Sequence, residues 1–270
     1  MKTRHTQILY TNAAIICIFI LLLIPGIAMS KDFGFYPGEK LTFKVRWSFI
    51  TAAKVTLEVL PCENINGEPA LHFLYTAKTS KFVDAFYKVR DRIESYANLD
   101  MTRSLLYKKN HEGKSTKDIV VEFDWEKKEA RYIDKGSVTD SVQISDNTFD
   151  PLSVFYAFRI GQPDSNNEIV VNVADGKRLI KGTGKIVKKQ KIRVSGKTYN
   201  TLLVEPELEG VGGVFKKAKD SKLKIWVTDD KKRIPVRIKS RVTVGSFVAS
   251  LVSYGSENYD IDSADEEEEE

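Results

Sequence analysis

Apolar and polar residues alternate with a two-residue beat over most of the chain. In GEKLTFKVRWSFITAAKVTLEVLP, Leu41, Phe43, Val45 and Trp47 point one way and Thr42, Lys44 and Arg46 the other, and the beat resumes at Val55, Leu57 and Val59. This predicts a hairpin with a small-residue turn around Thr51 to Ala53. Asn64 to Pro69 is the next turn, and ALHFLYTAKT is a third strand. Further strands are expected at LLYKKNHEG, at STKDIVVEFDWEKKEARYIDKG with a turn at Glu126 to Glu129, and from EIVVNVADG to KTYNTLLVEPELEG. The segment GVFKKAKDSKLKIWVTDDKKRIPVRIKSRVTVGSFVASLVSY supplies three closing strands, broken by an Asp-Asp-Lys-Lys turn and a Gly-Ser step.

Two segments depart from this beat. KFVDAFYKVRDRIESYANL starts with a helical turn, since Phe82, Ala85 and Phe86 share a face, and returns to alternation at Val89. DPLSVFYAFRIG reads as a short helix, with Asp150 as N-cap, Pro151 at the first helical position, Leu152, Phe155, Tyr156 and Arg159 along one side, and Gly161 as stop. A helix of that size more often seals the open end of a sheet than carries a site. The fold expected is all-β and mainly antiparallel, a curved meander forming a barrel or half-barrel-like sheet with one or two short helices.

The N-terminus adds a location. Lys2, Arg4 and His5 precede an apolar run from about Ala13 to Ile24, and Ala28-Met29-Ser30 makes a small-residue exit. This is the pattern of a secretory signal peptide over residues 1–30, cut after Ser30, and it predicts an exported protein, periplasmic or extracellular. The alternative is an uncleaved membrane anchor, because the apolar stretch reaches back to Ile8. Residues 31–259 then form a single β domain and 260–270 an acidic tail. Of 42 Lys and Arg against 37 Asp and Glu, eight of the acids fall in the last eleven residues, so the body is distinctly basic.

Candidate chemistry is sparse. Of the two cysteines only Cys62 lies beyond the signal, so no intramolecular disulfide is expected; it reads as a half-buried apolar residue. His72 and His111 are too few and too far apart for a zinc motif. KGTGK lacks the Walker spacing and reads as a glycine-relaxed hairpin turn. Asp229 and Asp230 suit a solvent-facing turn better than an acid–base pair, and Pro235 suits the first residue of an edge strand. No catalytic residue, metal or cofactor is expected, and the chain is read as a non-enzyme.

One pattern rises above this background. Arg237, Lys239 and Arg241 alternate with Val236, Ile238 and Val242, and Lys222 and Lys224 alternate with Leu223 and Ile225, giving a basic stripe on one strand face. Outside the cytoplasm such a stripe would attract lipid headgroups, glycolipid phosphates or acidic glycans rather than nucleic acid.

The segments YPGEKLTFKVRWSFITAAKVTLEV, VRDRIESYAN, FDPLSVFYAFR and the closing GVFKKAKDSKLKIWVTDDKKRIPVRIKSRVTVGSFVASL resemble a bacterial exported family, domain of unknown function 3108. The most specific part is W-x-T-D-D-x-x-R-x-P-V, here Trp226, Thr228, Asp229, Asp230, Arg233 and Pro235. Lys219, Lys222 and Lys224 make this chain more basic than the family pattern, and its poly-Glu tail departs from it. The resemblance implies a curved antiparallel β domain in the cell envelope and supplies no catalytic residues.

The functional expectation is non-catalytic binding of a lipid, glycolipid or other hydrophobic or anionic envelope component, by a protein peripheral to the membrane at most. The alternative is a structural or assembly factor that docks envelope proteins or glycans and has no ligand cavity. A lined cavity of roughly 300 Å³ or more would favour the first, a filled interior the second.

Overall fold

A computed structural model describes residues 33–207, 222–242 and 245–255. The expected signal segment and acidic tail lie outside them. The alternating runs form strands β1 (Lys40–Trp47), β2 (Ile50–Ile65), β3 (Glu68–Thr79), β4 (Arg90–Asn98), β5 (Ser104–Glu112), β6 (Lys117–Asp124), β7 (Glu129–Asp134) and β8 (Ser137–Gln143). After β9 (Thr148–Phe149) come β10 (Glu168–Ala174), β11 (Leu179–Val194), β12 (Lys197–Glu207), β13 (Lys222–Thr228), β14 (Pro235–Val242) and β15 (Gly245–Tyr254). Helices α1 (Lys81–Tyr87) and α2 (Ser153–Ile160) stand where the beat breaks.

Among the described residues these strands make one sheet, ordered β8, β7, β6, β5, β4, β3, β2, β1, β15, β14, β13, β12, β11, β10, β9. Two meandering arms are thus zipped at the centre by the first and last strands, with Leu41 opposite Tyr254 and Trp47 opposite Phe247. Every pair is antiparallel except β9 with β10. The sheet is not a closed barrel. Only residues 144–147 separate the edge strands β8 and β9, yet no ladder joins them, because β9 is two residues long and pairs only with β10.

Side chains bridge the gap between the arms. The β10–β11 turn reaches across to β7 and β8, where Lys177 Nζ lies 2.7 Å from Asp140 Oδ2 and 4.0 Å from the centre of the Tyr132 ring. Gly176 makes this approach feasible. Its φ is +83°, and an added Cβ would lie 2.9 Å from Tyr132 Cβ and 3.1 Å from Tyr132 Cα. Gly176→Ala is therefore expected to cost about 1–3 kcal/mol in urea unfolding. Gly136→Ala, at a similar φ but with nothing within 4 Å, should cost only the backbone share, about 1 kcal/mol.

The inner face carries the core. Leu41, Phe43, Val59, Phe73 and Val121 are almost fully buried there, and α2 lies against them. Asp150 holds the start of α2: Oδ1 accepts from Leu152 N at 2.8 Å and Ser153 N at 3.0 Å, and Oδ2 accepts from the hydroxyls of Ser95, Ser104 and Ser153 at 2.6–2.7 Å. Asp150 bonds the entering turn as the sequence suggests, but the regular helix starts at Ser153 with Leu152 at its N-cap, so Pro151 precedes the helix instead of opening it; Gly161 closes it. The carboxylate also ties the helix to β4 and β5.

Four other local expectations are corrected. The β1–β2 turn falls at Ser48 and Phe49, not at Thr51 to Ala53. Ser48 takes the positive φ of 55°, and Thr51 and Ala52 are buried strand residues. Gly182 and Gly184 are not a turn but lie within β11, where Phe158 and Val173 come close enough to leave little room for a side chain. Pro235 opens its strand, but β14 is internal; a bulge between Trp226 and Val227 accommodates the missing donor. Cys62 is exposed, lying beside the bulge between Leu60 and Glu63 in the outer stretch of β2.

Candidate functional site

The inner face is filled unevenly. On the β1–β8 arm, Tyr156 of α2 is completely buried, stacked 3.9 Å from Phe73 and edge-on to Phe35 at 5.2 Å. On the other arm a cavity of about 220 Å³ remains between α2 and strands β10 to β13. Its wall is almost wholly apolar, with Val154, Phe155 and Phe158 from the helix facing Ile186, Val204 and Ile225 from the sheet. Gly184 widens it opposite Phe158. Two guanidinium side chains, Arg159 and Arg233, complete the lining.

The two arginines hold α2 in place. Arg159 and Glu39 form a two-pronged ion pair, with Nη1 2.5 Å and Nη2 3.1 Å from the carboxylate oxygens, and both side chains are excluded from solvent. Arg159 Nε also donates to Lys232 O at 3.1 Å, and its guanidinium lies 5.4 Å from the Phe35 ring centre. Arg233 approaches from the β13–β14 turn, and its Nη1 donates to Gly161 O and to Arg159 O at the C-terminal end of the helix. A cation there complements the partial negative charge of the exposed carbonyls. Partial burial lowers the Arg233 pKa from its usual value, which is high enough that the group stays charged.

The turn is built to aim Arg233. Asp230 Oδ1 accepts from Thr228 Oγ1 at 2.8 Å, Lys232 N at 2.9 Å and Arg233 N at 3.1 Å, while Thr228 Oγ1 accepts from Ile234 N at 2.9 Å. These bonds close the turn and place Arg233 at φ 43°, the left-handed region. Asp229 faces the other way, to Lys189 Nζ at 3.0 Å.

A protein-family model, described as a protein of unknown function (DUF3108), matches residues 42–252. The chain belongs to the DUF3108 family. The match runs from β1 to β15, the two strands that join the arms. No curated protein matches. Among solved structures, a beta-barrel-like protein of domain of unknown function DUF1849 from Brucella abortus is similar at 8% identity, with a TM-score of 0.48, over 82% of this chain and 98% of that one. A Bacteroides fragilis protein described as exported, with a YmcC-like fold, gives 8% identity and 0.33 over 82% and 97%. A Parabacteroides distasonis protein described as a lipoprotein gives 11% and 0.35 over 82% and 98%.

Within this DUF3108 chain the motif residues from Thr228 to Arg233 gather at the latch on α2, and Arg233 alone of the motif reaches the cavity. Trp226 lies across the ladder from Arg237, on the face opposite Ile225 and therefore away from the cavity. The basic stripe shares that outer face. Lys224 stands opposite Lys239, and Lys222 pairs with Arg241 along the backbone. Two stripe charges already have partners: Lys224 Nζ is 3.0 Å from Glu205, and Arg237 Nη2 donates to Arg193 O at 2.7 Å where the β11–β12 hairpin meets β14. The stripe and the cavity are separate features on opposite faces of the sheet.

The histidines lie elsewhere. His72 is buried on the outer face, stacked 4.4 Å from Tyr96 with Glu63 Oε1 3.0 Å from Nδ1, and burial lowers its pKa against the pull of Glu63 and Glu94. His111 Nδ1 pairs with Asp91 on the neighbouring strand. The described residues contain no group of three or more metal-ligating side chains. The cavity was not legible beforehand because four strands and a helix supply its wall; the one sequence signal was the pair of glycines inside a basic, alternating run.

Proposed function

We propose that this protein is a non-catalytic binder of a hydrophobic or amphipathic component of the cell envelope, exported by its N-terminal signal, and that the cavity between α2 and β10 to β13 takes an acyl chain. The observation that carries the reading is the apolar wall, with the Arg233 guanidinium at its edge able to face an anionic head, whereas the Arg159 charge is already met by Glu39. The volume, about 220 Å³, falls short of the roughly 300 Å³ expected of a cavity that would favour a carrier over an assembly factor. The ligand is therefore slender, or only part of it enters.

Val204→Phe fills the cavity from β12. With the fold verified by circular dichroism, the variant should bind a fluorescent fatty acid about tenfold more weakly than the unaltered protein, a change of about 1.4 kcal/mol. Unchanged affinity would remove the cavity from the reading. Native mass spectrometry of protein purified from its host should also show a copurifying lipid.

The second reading, a structural or assembly factor docking envelope proteins or glycans, draws on the filled half of the interior, where Tyr156, Phe35 and Phe73 leave α2 embedded. A single stoichiometric protein partner retained after delipidation would favour it.

A further inference from the structure

One end of the sheet displays large aromatic side chains instead of burying them. Phe49 in the β1–β2 turn is 80% exposed, Phe86 77% and Phe82 60%, and Tyr87 and Trp47 are exposed as well. Phe82 and Phe86 are one helical turn apart with ring centres at 5.6 Å, and Trp47 stacks on Phe247 at 6.2 Å. Helix α1 buries none of its residues.

Although α1 buries nothing, it is firmly held. Ser80 caps it by accepting from Val83 N, its own N–H donates to Ala52 O at 3.0 Å, and its hydroxyl donates to Thr51 O at 2.8 Å. Those bonds place α1 beside the start of β2 and hence beside the Phe49 turn. Asp84 accepts from Arg90 Nη2 at 2.5 Å and from Thr79 Oγ1 at 2.5 Å, and these bonds hold its carboxyl down at about 2. The helix is thereby pinned with two phenyl groups outward, and its one acid is neutralised by Arg90.

Cations flank these rings. Arg46 precedes Trp47 and donates to Phe49 O at 3.4 Å. Lys239 shares its level in the ladder through Val248, and Arg241 lies level with Ser246, next to Phe247. All three are exposed, as are Lys78 and Lys88 on either side of α1. At a rise of about 3.3 Å per residue, Arg46, Lys239 and Arg241 sit within roughly 7 Å of the Trp47 level. Exposed aromatic side chains, with Arg46 and Lys239 one residue behind Trp47 and Arg241 at the level of the Ser48 turn, match the mixed composition of a membrane interface, where rings enter the acyl boundary and cations meet phosphate.

We propose that this end docks on an anionic lipid surface, with Phe49, Phe82, Phe86 and Trp47 entering the acyl boundary and Arg46, Lys239 and Arg241 at the phosphates. Val204 is level with Ile225 and Ile238, two strands from Lys239, but lines the opposite face of the sheet, so docking, read by Trp47 emission, and cavity binding, read with Val204→Phe, are measured separately. Docking also gives the outward-facing end of the basic stripe a role.

The test uses vesicles of phosphatidylcholine with or without phosphatidylglycerol, carrying dibrominated acyl chains. Trp47 emission, isolated as the difference between the chain and its Trp47→Phe variant, reports this end of the sheet and is insensitive to attachment by the N-terminal apolar run. It should shift to shorter wavelength and be quenched by vesicles containing phosphatidylglycerol. Phe49→Ser combined with Phe86→Ser should weaken that response by tenfold or more, the loss expected when two phenyl groups no longer leave water. Arg46→Glu with Arg241→Glu should abolish the preference for the anionic vesicles. Trp47 emission unmoved by either vesicle, a response that survives Phe49→Ser/Phe86→Ser, or a protein partner that covers these rings in place of lipid would each overturn the proposal.

Discussion

Arg159→Met is expected to lower the free energy of unfolding by about 3–5 kcal/mol, a large share of the 5–15 kcal/mol typical of a folded domain. The substitution removes the partner of Glu39, whose carboxylate is 1% exposed. It also removes donors to Lys232 O and Gly34 O, so the N-terminal segment before β1 and the β13–β14 turn lose their common tie to α2. A buried charge left alone is far more costly than the pair is beneficial, because the attraction of two desolvated ions only roughly offsets their loss of water. The double variant Arg159→Met, Glu39→Leu should therefore recover most of the loss. Urea midpoints for the two single variants, the double variant and the unaltered chain complete a cycle that isolates the coupling. A double variant no more stable than Arg159→Met alone would mean that the backbone ties, rather than the ion pair, account for the cost.

The strands and the two helices were legible because each depends on neighbours in sequence. Leu41 and Phe43 alternate with polar residues because their face of β1 meets the core, though Thr42 and Lys44 on the other face are buried as well, and Asp150 before Ser153 caps a helix through bonds only two and three residues long. What could not be read is which distant pieces meet. Nothing in the beat pairs β1 with β15, and nothing in the sequence ties Arg159 to a carboxylate 120 residues earlier. Alternation groups the stripe residues on one strand face, but it does not say which face adjoins the cavity. Ile225, flanked by Lys224 and Trp226, belongs to the cavity wall, so the stripe necessarily faces away from it.

The motif from Trp226 to Pro235 shows the same division. Its turn chemistry was visible as an Asp-Asp step between alternating runs, while its purpose depends on Gly161 at the end of a helix that precedes it by more than sixty residues. Asp230 shapes the turn, the turn sets the backbone of Arg233, and Arg233 caps α2. Stability and function thus converge on the same helix: its buried side anchors the β1–β8 arm, and its other side forms one wall of the cavity.

Tyr156 is where that anchoring concentrates. Tyr156→Ala should cost about 3–5 kcal/mol, since it empties a fully buried aromatic site against Phe73, Phe35 and Phe155. Tyr156→Phe tests a different quantity. Burial pushes the Tyr156 hydroxyl above its ordinary pKa, so it stays protonated, and among the described residues it has no hydrogen-bond partner. An orphaned buried hydroxyl is a net cost, and its removal should leave stability unchanged or raise it by about 1 kcal/mol. The pair of variants separates ring packing from polar satisfaction at one position. If Tyr156→Phe instead lost 2 kcal/mol or more, the hydroxyl would have a partner in solution, and the interior beside α2 would be wetter than its wall of phenylalanines implies.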